Sequence, residues 1–256
     1  MNRILITAGI HGDEIGAILT AKELKGWVEG KGFRNVEIIH DANKKGIEAR
    51  VRENPSDDKD LNRLFPGDKN GTDSDIIVNE LFEKAKKFDY IIDLHTYGKG
   101  SRCLPYMLTD LKRDFNKKFC KKIGLDYAVQ TAGTSGQMFI ELSNRGIPAM
   151  IIEAGGAEWL EDAIYEKVKN CIKDFILNIE HDRNVRFFDN YDRIEFDDEG
   201  YFKPLTSLGD EVEKSEIIGY VDGMEIVSPC KGLILGIKSE GEFDPDEETL
   251  AAIAEY

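Results

Sequence analysis

Short apolar runs alternate with longer helix-periodic segments through the first three quarters of this 256-residue chain. The strand-like runs lie at 3–8, 36–41, 89–95, 126–131 and 148–153. This alternation is typical of α/β proteins, in which crossover helices connect parallel strands and cover the sheet. It predicts an α/β fold with a mainly parallel, mixed sheet and helices on both faces.

Three segments have the periodicity of helices that pack one face on a sheet. The first follows residue 14, and the second runs through 78–85 with Asp73 or Ser74 as its N-cap. The third carries apolar residues from Leu160 to Ile179 and ends at 181–184. We interpret these apolar stripes as core-forming.

The pattern changes in the last quarter of the chain, where short strand-like runs follow one another without helical segments between them. The clearest runs are 217–221, 224–227 and 232–237. Closely spaced short strands predict a small all-β module, which at this size needs the main domain for stability. We therefore predict two domains, 1–185 and 186–256.

The charge balance disfavours nucleic acid as a partner. The chain has 34 Lys and Arg against 49 Asp and Glu, a net charge of −15 at pH 7, whereas polyanions are held mainly by basic side chains. No apolar run approaches the roughly 20 residues of a membrane span, so we expect no membrane partner. The N-terminus leads directly into the first strand-like run, which indicates a cytoplasmic protein.

The four cysteines are far apart and form no C-x-x-C pair, which argues against a disulfide scaffold or a cysteine metal site. They are Cys103, Cys120, Cys171 and Cys230. Buried small hydrophobic residues are the simplest interpretation of all four. The oligomeric state stays open, and a homo-oligomer is compatible with these features.

The sequence GIHGDE at 9–14 lies between the first strand-like run and the first helical segment. A histidine and a glutamate on such a turn can point into one crevice, and imidazole nitrogen with carboxylate oxygen is a ligand pair suited to zinc. The spacing of His11 and Glu14 also arises by chance. Taken alone, the motif is more simply interpreted as a surface turn whose histidine has no functional role.

His95 stands at the carboxyl end of the run that begins at Phe88. Open parallel sheets bind ligands beyond the carboxyl ends of their strands, where His11 and Glu14 also fall. Together the three form a set of two histidines and one glutamate with an open fourth position, as in catalytic zinc sites. We predict one Zn²⁺ per chain. Asp93 suits two roles equally, as a residue that orients a ligand or as a buried hydrogen-bonded carboxylate.

Glu153 lies at the end of the last strand-like run of the α/β part. A carboxylate in that position must be paired, solvated or functional, because burial without a partner is costly. Beside zinc it can take a proton from the attacking water and pass it to the leaving amine. A strand-end glutamate that faces solvent is the alternative.

Residues 42–74 form a polar segment that is too long for an ordinary connection, and such loops are usually functional or disordered. In it, Asn62 and Arg63 place an amide beside a guanidinium, which can hold a substrate carboxylate by paired hydrogen bonds. Arg52, eleven residues upstream, can polarise the scissile carbonyl. Surface ion pairing is the alternative for these arginines and the preferred interpretation of Arg50.

The chain resembles the succinylglutamate desuccinylase/aspartoacylase family of zinc carboxypeptidase-like deacylases in four segments. These are GIHGDE at 9–14, DLNRLFPGD at 60–68, DLHT at 93–96 and IIEAGG at 151–156. The resemblance implies the following roles: His11, Glu14 and His95 as zinc ligands, Glu153 as general base and acid, Arg52 as carbonyl polariser, and Asn62 with Arg63 as carboxylate clamp.

The C-terminal segment is similar to the β-rich, barrel-sandwich-like domain of these deacylases. It has no Met-Lys-Met or Asp-Lys-Ala attachment tip, so we expect no carried cofactor.

Two positions depart from the family pattern. Lys44 follows Asn43 where proline is usual, and residues 136–140 stand where many relatives carry a substrate-holding arginine. Either Arg145 compensates or the substrate lacks the group that this arginine meets.

The predicted function is a zinc-dependent hydrolase that cleaves the amide bond of an N-acylated amino acid or a similar small carboxylate. A zinc carboxypeptidase that acts on a peptide C-terminus uses the same clamp and stays open as an alternative. A non-catalytic carboxylate-binding protein is a third hypothesis. The presence of Glu153 beside the ligands argues against it, because a binder needs no base.

Overall fold

We describe a computed structural model of the chain. It describes residues 2–98, 100–131, 133, 135–156, 162–179, 184–245 and 248–256. The α-helices are α1 (Ile15–Lys31), α2 (Lys44–Ala49), α3 (Asp73–Ala85), α4 (Asp114–Ile123), α5 (Met138–Ser143) and α6 (Asp162–Ile176). The strands are β1 (Ile4–Ala8), β2 (Val36–Ile39), β3 (Tyr90–Tyr97), β4 (Ser101–Thr109), β5 (Tyr127–Gln130), β6 (Ala149–Gly156), β7 (Arg186–Phe188), β8 (Asn190–Ile194), β9 (Gly200–Pro204), β10 (Glu211–Val212), β11 (Ile217–Val221), β12 (Met224–Val227), β13 (Gly232–Lys238), β14 (Gly241–Phe243) and β15 (Ala251–Glu255).

The large sheet has the strand order β2-β1-β3-β6-β4-β13-β15-β8, and β5, β7 and β10 extend it beside this path. Strands β2, β1, β3 and β6 are parallel to one another, whereas β4 is antiparallel to β6. The predicted mixed α/β sheet is confirmed. Because the parallel strands share one direction, the turn after β1 and the ends of β3 and β6 lie at the same edge.

Helices cover both faces of this sheet. On one face, α1, α4 and α6 pack on alternate strand residues such as Ile6 and Ile92. On the other, α3 and α5 pack on the intervening residues such as Leu5 and Ile91. The strand alternation therefore divides the apolar residues between two cores. None of the described helices is both long and apolar enough to span a bilayer.

Three details differ from, or lie outside, the sequence interpretation. Strand β4 was missed because Pro105 and polar residues interrupt its apolar pattern, and its register shifts between Cys103 and Tyr106. The N-cap of α3 is Thr72 rather than Asp73 or Ser74, and its backbone N–H donates to Asp75 Oδ2 at 3.1 Å. The predicted helix positions Leu160 and 181–183 lie outside the described residues.

The C-terminal strands continue the large sheet. Strand β13 pairs with β4, with Gly236 opposite Cys103, and β15 and β8 follow. A separate four-stranded sheet has the order β12-β11-β9-β14. A small core joins β4 and β5 to the C-terminal strands and includes Tyr106, Phe188 and Leu235. The domain boundary between residues 185 and 186 stays a prediction.

Candidate active site

The turn that follows β1 is held against the start of α2. Gly9 has a φ of +74°, which favours glycine. The fully buried Asn43 donates its backbone N–H to the Gly9 carbonyl at 2.7 Å and accepts from the Gly46 N–H at 3.0 Å. Asn43 is therefore an N-cap that fixes the turn, and it does not line the pocket described below.

Gly12 packs directly on the backbone of α2, where a Cβ would lie 2.0 Å from the Gly46 carbonyl carbon. Backbone atoms cannot rotate away from an added methyl group as a flexible side chain can, so Gly12→Ala should displace the turn. We expect it to lower the free energy of unfolding by about 1–3 kcal/mol and to weaken zinc binding. Denaturant unfolding and zinc titration measure both. Gly30→Ala is the control, since nothing lies within 4 Å of that position. Equal behaviour of the two variants would contradict the close packing.

His11, Glu14 and His95 come together at the sheet edge, although 84 residues separate the first from the last. One ligand atom from each lies within 4.8 Å of the others, and all three residues are buried. Glu14 Oε1 lies 2.6 Å from His11 Nδ1, and Glu14 Oε2 lies 3.1 Å from His95 Nδ1. Metal–ligand bonds of about 2 Å can span this group, so the donor set fits one divalent ion.

Two aspartates hold the far nitrogens of the histidine rings. Asp60 Oδ1 lies 3.1 Å from His11 Nε2, and Asp93 Oδ2 lies 3.0 Å from His95 Nε2. Asp93 also accepts from Thr7 Oγ1 at 2.6 Å. Carboxylates in this position orient imidazole ligands and fix the tautomer that leaves Nδ1 free for a metal. The orienting role considered for Asp93 has its geometry here, while the role of Asp60 was missed.

The electrostatics of the metal-free site favour a cation. Burial alone would lower the pKa of His95, but the charges of Glu14 and Asp93 raise it well above its ordinary value. The pKa of His11 is also raised, since Glu14 and Asp60 outweigh its burial. Burial raises the pKa of Glu14, but the two histidines lower it overall. Glu14, Asp60 and Asp93 therefore give the site a negative environment that favours a cation.

Zinc affinity should rise with pH through neutrality. A metal ion binds only deprotonated imidazole, so the raised pKa values of His11 and His95 make protons compete with the ion. Competition with a chromophoric chelator at pH 6, 7 and 8 measures the effect. We expect a steady gain in affinity from pH 6 to pH 8, and an affinity independent of pH would contradict protonated ligands.

Glu153 lies beside the candidate metal ligands, on β6 directly opposite His95 of β3. It lines the same pocket and is half-buried, and its Oε2 has no hydrogen-bond partner among the described residues. Burial is the largest cause that raises the pKa of Glu153 to about 7. The charge of His95 lowers this pKa, whereas the charge of Glu14 raises it. A carboxyl group with this pKa can both take up and release a proton near neutrality.

A cavity of about 400 Å³ joins the ligand set to Arg52, Asn62 and Arg63. Arg52 Nη2 donates to Asp60 Oδ2 at 2.9 Å, and its Nη1 lies 3.9 Å from Glu14 Oε1. Asn62 is buried, and its Oδ1 has no partner among the described residues. The structure thus brings the three candidate metal ligands, Glu153, Arg52, Asn62 and Arg63 to one pocket.

Part of the pocket was not anticipated from the sequence. Its lining includes Thr131, Gly133, Ser135 and Gln137, and also residues from the C-terminal strands. Arg145, a candidate for substrate binding, does not line it. That side chain pairs with Glu141 at 3.0 Å and lies over the Phe82 ring.

Residues 1–179 match the family model described as the succinylglutamate desuccinylase/aspartoacylase catalytic domain. The chain belongs to this family. The matched residues include the three candidate metal ligands, Glu153, Arg52, Asn62 and Arg63. Tyr191 and Arg193, which also line the pocket, lie beyond them.

Relatives in this family include a deacetylase. The chain is 22% identical over 240 residues to N-alpha-acetyl-L-2,4-diaminobutyric acid deacetylase of Halomonas elongata, covering 86% of this chain and 70% of that protein.

Solved structures show the same fold. The product-bound ectoine utilization protein EutE of Ruegeria pomeroyi has a TM-score of 0.85 at 19% identity, covering 100% of this chain and 86% of that one. A succinylglutamate desuccinylase/aspartoacylase of Rhodobacter sphaeroides has a TM-score of 0.84 at 20% identity, with the same coverage.

Proposed function

We propose that the protein is a zinc-dependent deacylase that hydrolyses the amide bond of an N-acyl amino acid. The observation that carries the proposal is the convergence of His11, Glu14 and His95 within 4.8 Å, in the pocket that Glu153 also lines. Membership of a deacylase family supports it, as does the named activity of the Halomonas elongata relative.

His11, Glu14 and His95 would hold the zinc ion, with Asp60 and Asp93 orienting the two rings. When bound, zinc polarises a substrate carbonyl and makes water more acidic. Three protein side chains would supply the donors, which is the number typical of catalytic zinc sites. The protein's own residues then supply proton transfer, charge stabilisation and substrate orientation.

Glu153 would act as the proton carrier. Its carboxylate takes a proton from the attacking water as the new carbon–oxygen bond forms, and it delivers that proton to the amide nitrogen as the carbon–nitrogen bond breaks. The burial that raises its pKa above the ordinary carboxyl value makes it a stronger proton acceptor, which suits the first of these transfers. Its unpartnered Oε2 is an available proton acceptor.

Arg52 and the neighbouring segment would position the substrate. The guanidinium of Arg52 is fixed by Asp60 beside Glu14, where it can stabilise negative charge on the carbonyl oxygen. The side-chain N–H₂ group of Asn62 and the half-exposed guanidinium of Arg63 can donate to the carboxylate of the amino acid. Arg63 retains freedom for this role, since its closest carboxylate contact, Asp60, is at 3.8 Å.

A deacylation screen tests the proposal. Purified zinc-loaded protein is incubated with N-acetyl and N-succinyl derivatives of several amino acids, and free amine and released acid are identified by mass spectrometry. We expect an acyl acid and a free amino acid from at least one substrate. Release of C-terminal residues from peptides, without deacylation, would instead indicate a carboxypeptidase.

A further inference from the structure

The pocket has an apolar floor beside Glu153. Leu108 of β4 lies directly opposite Ile151 of β6 in the sheet register, two residues along the strand from Glu153. Both apolar side chains line the pocket; Ile151 is buried and Leu108 is half-buried. Because alternate residues of a strand share one face, Ile151 and Leu108 lie on the same face of the sheet as Glu153. The floor therefore extends the pocket along the sheet, away from the metal site.

The segment 131–137 borders this floor and is fixed at both ends. The Thr131 N–H donates to the Thr109 carbonyl at 3.0 Å, which continues the pairing of β5 with β4. Near the other end, the Phe65 N–H donates to the Gly136 carbonyl at 3.0 Å. The segment therefore joins the apolar floor to the part of the chain that carries the candidate carboxylate clamp.

Two polar side chains of this segment converge on Gly133. A Cβ at Gly133 would lie 2.5 Å from Gln137 Oε1 and 3.0 Å from Thr131 Oγ1. Gln137 and Thr131 both line the pocket. The Thr131 oxygen accepts the Gly133 N–H at 2.9 Å, which leaves the hydroxyl proton to donate. The Gln137 amide can both donate and accept, so the pair offers hydrogen bonds of both kinds without a charge.

This side of the pocket is uncharged. We call Leu108, Ile151, Thr131 and Gln137 the neutral wall. The sequence of 131–137, TAGTSGQ, contains no charged residue. A carboxylate or an ammonium group placed against the neutral wall would lose hydration and gain no opposite charge from it, which is costly. An uncharged polar group would find hydrogen-bond partners there.

The neutral wall adjoins the carboxylate clamp through the bond between Phe65 and Gly136. The carboxylate and the side chain of an amino acid branch from the same carbon atom. When the clamp holds the carboxylate, the side chain therefore lies close to the clamp, while the scissile amide has to reach the metal site and Glu153. The neutral wall is thus placed to contact the amino-acid side chain of a substrate.

We propose that Gln137 is a specificity-determining residue that selects an uncharged side chain ending in a carboxamide. This inference rests on the proposed deacylase function, and the substrate class is an N-acyl derivative of a glutamine-like amino acid. Such a carboxamide can donate to Gln137 Oε1 and accept from Gln137 Nε2 or the Thr131 hydroxyl. Its methylene groups pack on Leu108 and Ile151.

Four N-acetyl amino acids of similar length test this preference. N-acetylglutamine and N-acetylglutamate differ in charge, N-acetylmethionine is uncharged but has no carboxamide, and Nα-acetylornithine has a positive side chain. Dissociation constants are measured by calorimetry on zinc-loaded protein carrying Glu153→Gln, so that no ligand is consumed. We expect N-acetylglutamine to bind about 10- to 100-fold more tightly than the charged ligands, and about 3- to 10-fold more tightly than N-acetylmethionine.

Two further substitutions assign the preference to Gln137. Gln137→Leu should lower the affinity for N-acetylglutamine to that for N-acetylmethionine and leave the latter within about twofold. Gln137→Arg should reverse the charge preference, so that N-acetylglutamate binds about tenfold or more tightly than N-acetylglutamine. Neither change removes a helix cap, because the Gln137 side chain makes no capping hydrogen bond to α5.

Asn144→Arg is the matched control. It adds the same charge at the other end of α5, at an exposed position that does not line the pocket. All four affinities should stay within about twofold of those of the protein without this change, since a distant exposed charge is largely screened.

The outcomes separate this inference from the proposed function. Hydrolysis in the deacylation screen with no preference for N-acetylglutamine, or with a preference that Gln137→Leu leaves intact, would overturn the role of Gln137 alone. The same holds if Gln137→Arg changes only the preference between N-acetylalanine and N-succinylalanine, because the neutral wall would then contact the acyl group. A glutamine preference that Gln137→Leu abolishes, in a protein that hydrolyses no acyl amino acid, would support the binding role and reject the deacylase.

Discussion

Replacement of Glu153 by glutamine is expected to leave one zinc ion per chain and to reduce hydrolysis by about 10²- to 10⁴-fold, the usual contribution of a general acid–base residue. Glutamine has the same size as glutamate but cannot accept the proton of the attacking water. Metal analysis and initial rates on a substrate from the screen measure the two effects. Glu29→Gln is the matched control, because Glu29 is exposed on α1. Full activity in the Glu153 variant would reject the assigned role.

In protein without bound metal, Glu153→Gln is also expected to change how the free energy of unfolding depends on pH. The pKa of Glu153 is raised to about 7 in the folded state, mainly by burial, from an ordinary 4.5. The folded state thus binds a proton there more tightly than the unfolded state, and this contribution to stability is lost as pH rises through about 7. Glu153→Gln should therefore gain stability relative to the parent between pH 5 and pH 8. Denaturant unfolding at both values measures the difference, and a constant difference would contradict the raised pKa.

Substitution of His95 by alanine should abolish tight zinc binding, since one of three ligands is lost. It also removes the ring that bonds to the buried Asp93, so we expect a cost of about 1–3 kcal/mol in unfolding free energy. Zinc content after dialysis and denaturant unfolding report the two effects separately.

His40→Ala is the control for the His95 variant. His40 is a half-buried histidine that bonds to Asp41 and does not line the pocket. It should retain one zinc ion per chain. If the folded His95 variant also keeps one tightly bound zinc ion, His95 is not a ligand.

The sequence indicates the ligand set because parallel strands expose their carboxyl ends at one edge. His11 and Glu14 follow β1, and His95 ends a buried run, so local patterns are enough to place them together. The same reasoning reaches Glu153 in the carboxyl-terminal half of β6. These positions depend only on strand direction and alternation, which short-range apolar patterns report well.

Contacts that depend on long-range pairing could not be predicted in this way. Asp60 contacts His11 although the two are 49 positions apart in the sequence. The path of the intervening loop cannot be predicted from apolar periodicity. Arg193 enters the pocket because β13 pairs with β4 and carries β15 and β8 with it. Because β4 contains Pro105 and has an irregular register, its sequence pattern did not predict a strand. The C-terminal segment pairs with this strand.

The continuous sheet has a consequence for the order in which the protein is made. All three candidate metal ligands have been synthesised once His95 has left the ribosome, and Glu153 follows within the same α/β unit. Arg193 and Thr249 are translated much later, and they line the pocket in a sheet in which β13 pairs with β4. A nascent chain therefore contains the side chains that could hold a metal ion well before those that complete the pocket.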